Sequence, residues 1–201
     1  PSSRPPRRLA NQIESALALF KQIPESRSTE TNAHATLAVC HLRQGNLQAA
    51  FEQTETAHAL ARQGWPIFSA LDVYSAIAEV NLALWEAGQG ERALARQLAR
   101  QACQALHGFA RVYPIGGPRA WLWQGRYEWL ENKPERALRA WRKSLTLAQQ
   151  LGMPYDEALA HFQLGVHGAG TDRLPHLQNA HKIFERLGAR YDLDLVEKTL
   201  K

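Results

Sequence analysis

Long apolar runs are missing from this 201-residue chain. Its longest stretches fall far short of the roughly 18–20 residues that span a bilayer, and no apolar core of a secretory signal opens it. Cysteine is scarce as well: Cys40 and Cys103 lie in separate helical runs, which argues against a disulfide and for a reduced, cytoplasmic setting. Nowhere do polar and apolar residues alternate long enough to predict a strand. Signatures of catalysis are absent too. Gly116-Gly117-Pro118-Arg119 is too short for a phosphate loop and lacks its lysine, and no Gly-x-Ser-x-Gly elbow occurs. Histidine is plentiful, at eight residues. His161, His167, His176 and His181 nevertheless follow gaps of 6, 9 and 5 rather than the i, i+4 spacing of a metal pair, and no cysteine lies near them. They are expected to act as capping or core-edge residues. The chain is therefore expected to be no enzyme in itself, with no catalytic residues, no cofactor and no metal.

What the sequence does contain is a period. Gly64, Gly108 and Gly152 stand 44 residues apart (108 − 64 and 152 − 108), each after an Ala/Leu-rich run. Glycine takes the left-handed conformation just past a helix, and the next large apolar residue folds back on the last turn, so each is expected to stop a helix. A second set of breaks falls at Gln44-Gly45-Asn46, Ala87-Gly88-Gln89-Gly90 and Glu131-Asn132-Lys133-Pro134. Gly45, Gly88 and Asn132 repeat at 43 and 44 residues (88 − 45 and 132 − 88), and Ala50, Ala93 and Ala137 follow five residues after each. Each period thus holds two helices. Apolar spacing supports them, as in Leu94, Leu98, Ala102 and Leu106, or Leu138, Trp141, Leu145 and Ala148. A fixed period of this length predicts stacked supersecondary units. Hydrophobic residues make up 45% of the chain, enough for a continuous core.

The expected organisation starts with a flexible basic linker at 1–8 (Pro, Ser and Arg only), too polar to order itself. With Pro1 as its first residue, the chain reads as a piece cut from a longer protein; a natural mature terminus or an expression remnant is the other reading. A helical repeat domain over 9–201 follows. It comprises a partial repeat at 9–24, repeats at about 29–64, 66–108, 113–152 and 154–188, and a capping helix over 190–200. In the cap, Leu193, Leu195, Val196 and Leu200 are expected to face inward, and Asp192, Asp194, Glu197 and Lys198 outward. The last full unit is short, at 36 residues from Gly152 to Gly188.

In the third repeat, Trp121, Gly125, Ala137 and Trp141 fall at the spacing of the tetratricopeptide (TPR) signature. Small residues at Gly125 and Ala137 let paired helices approach, while the tryptophans fill the space between pairs. Repeat one matches through Leu37, Ala38 and Ala50, and repeat two through Ala93. Repeat four keeps Leu164-Gly165 but has Leu177 where the alanine should stand. HEAT-type repeats share the period and are the competing architecture, against which the small-residue positions weigh. The resemblance implies an all-α, right-handed superhelical solenoid of antiparallel helix pairs. The longer period, with Tyr113-Pro114-Ile115-Gly116, Leu151-Gly152-Met153-Pro154-Tyr155 and Ile183-Phe184-Glu185-Arg186-Leu187-Gly188, resembles TPR regions of bacterial multidomain signalling proteins. These include class III adenylate/guanylate cyclases, ATPase–kinase hybrids and maltose-activator-like regulators. That resemblance covers roughly 113–193 and implies a regulatory array whose parent supplies any cyclase or kinase activity.

Two features invite a binding role. Arg92, Arg96 and Arg100 line one helix face, echoed by Arg136, Arg139 and Lys143, in a chain of net charge +5. Either this is a solvated outer face, or it is a stripe for an acidic protein or nucleic acid. Interleaved acids (Glu91, Glu128, Glu131, Glu135) and the lack of a nucleic-acid motif favour the first, so no nucleic-acid or membrane partner is expected. Trp121, Trp123, Tyr127 and Trp129 surround one helix, so most of the tryptophans are expected in the core. The least covered face would hold Arg119, Arg126 and Trp129, joined by Trp85, a lining suited to an acidic or extended peptide. The expected function is a non-catalytic interaction and regulatory domain of a larger cytoplasmic signalling protein. Its partner would be a protein, a peptide or another domain of the same parent, with the oligomeric state open. The alternative is a small-effector-sensing domain of an ATP-dependent signalling protein or transcription regulator.

Overall fold

Alanine- and leucine-rich segments, broken by single glycines or asparagines, fold here into helices. The computed structural model describes residues 5–20, 27–61, 70–88 and 92–201, and among them the regular elements are ten α-helices and two short 3-10 turns. The helices are α1 (Pro5–Phe20), α2 (Arg27–Arg43), α3 (Leu47–Ala61), α4 (Ala70–Ala87), α5 (Arg92–Val112), α6 (Gly117–Leu130), α7 (Pro134–Gln150), α8 (Pro154–His167), α9 (Arg173–Leu187) and α10 (Arg190–Leu200). The chain divides into two compact units, Pro1–Phe109 and Ala110–Lys201. Helix α1 starts at Pro5, so half of the segment expected as linker is helical backbone.

The breaks follow the local physics of helix ends. Gly45, Gly88, Gly152 and Gly188 take φ of 80°, 64°, 62° and 67°, and Asn132, the one non-glycine at positive φ among the described residues, takes 60°. Asparagine tolerates this region better than most residues because its short amide can hydrogen-bond locally. At Gly152 the turn closes in the double-bonded form of a helix C-terminus. The Gly152 amide donates to the Gln149 carbonyl at 3.2 Å and the Met153 amide to the Ala148 carbonyl at 2.9 Å. Asn132 and Lys133 repeat that pattern onto Trp129 and Glu128, as do Gly188 and Ala189 onto Glu185 and Phe184. Pro134 and Pro154 then open the next helices, where a missing N–H costs nothing.

One rung of the expected glycine ladder fails. Gly108 lies inside α5, which runs on to Val112 and stops ahead of Pro114. Phe109-Ala110-Arg111 continues as good helix, whereas Tyr113, the residue before proline, is driven to extended backbone (φ −121°, ψ 99°). Gly64 falls outside the described residues.

In the first unit, α2 packs against α1, α3 and α4, and α3 packs on α4. Ala10 and Leu17 of α1 meet Leu37 and Cys40 of α2 in one apolar cluster. On α5 the buried line is Ala95, Ala99, Ala102, Cys103 and Leu106. Leu94, expected in it, is exposed, so the apolar face sits one residue round from that reading.

In the second unit, α6 pairs with α7 and α8 with α9, while α7 packs on α8 and α10 closes on α9. Trp141 is fully buried and its indole Nε1 donates to the Leu122 carbonyl at 3.1 Å. The buried Ser144 hydroxyl donates to the Pro118 carbonyl at 2.8 Å, fixing α7 to the start of α6. At Gly125 the two helices leave no room for a side chain: a Cβ there would lie 2.5 Å from Trp141 Cδ1 and 2.8 Å from Cε2. At Gly165 the neighbour is Leu177, whose Cγ would stand 2.6 Å from a Cβ. The leucine that breaks the signature in repeat four thus uses the space the glycine leaves. Ala158, Ala180, Phe184 and Val196 form the terminal core, with Tyr155, Leu159, Phe162, Ile183 and Leu193 packed on it. Within the cap, Asp194, Glu197 and Lys198 face solvent as expected, but Asp192 is buried and Leu200 is exposed. Asp192 turns inward because it has a hydrogen-bond partner there.

Candidate partner-binding surface

Helices α6, α8 and α10 place equivalent positions near one another, one repeat apart. The third residue of α6 is Arg119, and its Nε pairs with Oδ1 of Asp156 on α8. The Arg119 guanidinium also lies over the Tyr155 ring, 5.7 Å from its centroid. One repeat on, the Tyr155 hydroxyl donates to Asp192 Oδ2 on α10 at 3.0 Å. Both contacts join residues 37 positions apart. A buried carboxylate needs such donors, because desolvation without them is costly. Sequence reasoning missed this ladder, although a signal was present: Tyr155-Asp156 recurs as Tyr191-Asp192, 36 residues later (191 − 155).

The four candidate binding residues differ in burial and surroundings. Arg119 is half-buried and committed to Asp156. Trp129 is half-buried, its ring 4.2 Å from His167 and 6.1 Å from Trp141, centroid to centroid. Arg126, between them on α6, is half-buried too. Trp85 lies on α4 in the first unit and is buried. Trp123 and Trp141 are also core, while Trp121 is half-buried with the Lys143 ammonium 4.0 Å above its ring. Of the basic stripes, Arg96, Arg100, Arg136, Arg139 and Lys143 are exposed.

Each histidine of the C-terminal cluster has a partner. His167, in the last turn of α8, stacks on Trp141 at 4.9 Å with planes 15° apart. His181 Nε2 is 3.6 Å from Glu197. His161 Nδ1 and His176 Nδ1 are 2.7 Å apart, a distance that requires one ring to donate and the other to accept. Burial pushes both imidazoles below the usual histidine value. For His161 the neighbouring His176 adds to the fall and Glu157 opposes it; for His176 Asp172 opposes and Arg142 adds.

Beside this pair opens a cleft of about 380 Å³. Asn179, Lys182, Ile183 and Arg186 of α9 form one wall; Glu157 and His161 of α8, with Gln149 at the end of α7, form the other. Gln149 Nε2 donates to Glu157 Oε1 at 3.1 Å, and His161 Nε2 stands 3.9 Å from the same oxygen. Among the described residues, no group of three or more His, Cys, Asp or Glu side chains is placed to hold a metal ion. No described helix is long and apolar enough to cross a membrane. Cys40 and Cys103 are buried and in no disulfide, and burial raises the Cys40 pKa, the nearby Arg43 opposing.

Neither a protein-family profile nor a curated protein matches the chain. Its fold does have solved counterparts. The crystal structure of a thermophilic TPR protein from Thermus thermophilus superposes with a TM-score of 0.54 at 23% identity, covering 97% of this chain and 97% of that one. The likeness is one of fold: an all-helical, TPR-like succession of helix pairs.

Proposed function

We propose that this chain is a non-catalytic interaction and regulatory array that binds a protein or peptide, within a larger cytoplasmic signalling protein. The observation that carries the reading is the TPR-like succession of helix pairs, matched over 97% of the chain. Each pair in such an array contacts only its neighbours, which leaves extended helical faces open to a partner. The partner is a separate protein, an extended peptide or another domain of the same parent. Arg126 and Trp129, both half-buried on α6, are the residues of that helix best suited to an acidic segment. The parent's cyclase or kinase activity, where it has one, lies outside these helices. Two lone cysteines on α2 and α5 support the cytoplasmic setting.

The test selects binders for the 201-residue chain from displayed peptides and isolated signalling domains, then measures affinity by calorimetry. The expected result is a saturable complex that Arg126→Glu weakens by about tenfold or more. If no peptide or domain binds while a small molecule does, the partner reading gives way to the effector-sensing one. The cleft beside His161 is the observation favouring that second reading.

A further inference from the structure

The cleft between α8 and α9 has walls of opposite charge. On α9, Asn179, Lys182 and Arg186 lie at i, i+3 and i+7 on one face. Among the described residues neither Lys182 nor Arg186 makes an ion pair, although Glu157 lines the same cavity. On α8, the two contacts made by the Glu157 carboxylate both fall on Oε1, which leaves Oε2 to a ligand. Ile183 supplies an apolar surface between the walls.

We infer that this cleft binds a small zwitterion of the amino-acid class, its carboxylate on Lys182 and Arg186 and its ammonium on Glu157. A simple anion fits less well, because Glu157 repels it from within the same cavity. A simple cation meets two positive side chains against one carboxylate. A molecule carrying both charges satisfies each wall, and Arg186 can hold a carboxylate through two parallel hydrogen bonds. The volume sits at the lower end of the range for small-molecule sites, about 300–1,000 Å³. The site bears on the effector-sensing reading, and its test is independent of whether a protein or peptide partner binds.

The test is a titration of the 201-residue chain, followed by amide chemical shifts of α8 and α9. The probes are L-glutamine, glycylglycine, acetate, ethylammonium and inorganic phosphate. Saturable binding of L-glutamine or glycylglycine is expected, with acetate and ethylammonium at least about tenfold weaker. The larger response between the two zwitterions separates a free amino acid from a dipeptide. Arg186→Gln and Glu157→Gln should each weaken binding by about tenfold or more, with far-UV circular dichroism and melting unchanged because Arg186 is exposed and Glu157→Gln preserves shape. Lys182→Gln, at another exposed position, repeats the test should either variant lose its fold. Phosphate or acetate binding as well as the zwitterions, with Glu157→Gln strengthening it, would overturn the inference in favour of a plain anion site. Absence of binding by both zwitterions at tens of millimolar would overturn it outright.

Discussion

Replacing Gly125 by alanine should destabilise the second unit, although alanine is the better helix former. A Cβ at that position would stand 2.5 Å from Trp141 Cδ1 and closer still to Nε1, inside any real contact distance. Trp141 is fully buried and cannot swing into solvent, so α6 and α7 must separate or the indole must tilt. Overpacking of this kind costs about 1–3 kcal/mol. Tilting the indole also breaks its 3.1 Å hydrogen bond to the Leu122 carbonyl, and an unpaired buried donor costs about 1–3 kcal/mol more. Against this, alanine gains about 1 kcal/mol over glycine in a helix interior. The net loss is about 3 kcal/mol. Urea unfolding followed by tryptophan fluorescence should then show the midpoint falling by about 1.5 M, taking m near 2 kcal/mol/M. A Gly125→Ala variant as stable as the parent, or more so, would refute the close approach of α6 and α7 and the role given to the signature glycine.

Gly108→Ala should have the opposite sign: Gly108 lies inside α5 with nothing within 4 Å of an added Cβ, so stability should rise by about 0.5–1 kcal/mol in the same assay. Gly152→Val also meets empty space but at φ 62°, and should cost about 1–3 kcal/mol through backbone strain alone, read as a lower thermal midpoint. Acid should weaken the second unit through His161 and His176. Both are held below the ordinary value of 6.5, so the unfolded chain binds more protons than the folded one. Their contribution is complete above pH about 6.5 and is lost as pH falls from there toward their lowered folded values. Unfolding free energies measured from pH 8 to 5 should decline across that window, and the decline should be shallower in His176→Gln.

Several features were legible because they are local. Left-handed backbone at Gly45, Gly88, Asn132, Gly152 and Gly188 follows from residue type at a helix end. Close approach of α6 and α7 at Gly125 was readable because the TPR spacing puts small residues where paired helices meet; that Trp141 is the side chain meeting Gly125 was not. The candidate surface was less legible. Arg119 and Trp129 looked exposed by helical periodicity, yet Asp156 and His167 of α8 take them up. No count of residues along α6 reveals a partner on another helix. That Lys182 and Arg186 face Glu157 across a cleft was hidden for the same reason, since by sequence they look like any solvated pair on an outer face.

By itself, the sequence determined that the chain is all-helical and that helices alternate with short left-handed breaks. These depend on hydrogen bonds and dihedral preferences within a few residues of one another. Tertiary structure alone decided that α5 carries on through Gly108, that Leu177 fills the space beside Gly165, and that His161 shares a proton with His176. It also decided that Asp156 and Asp192 lie buried. Each depends on the free energy of a group whose partner sits on another stretch of chain. A carboxylate becomes a core residue only when a donor such as Arg119 or Tyr155 arrives from the preceding repeat to replace its water.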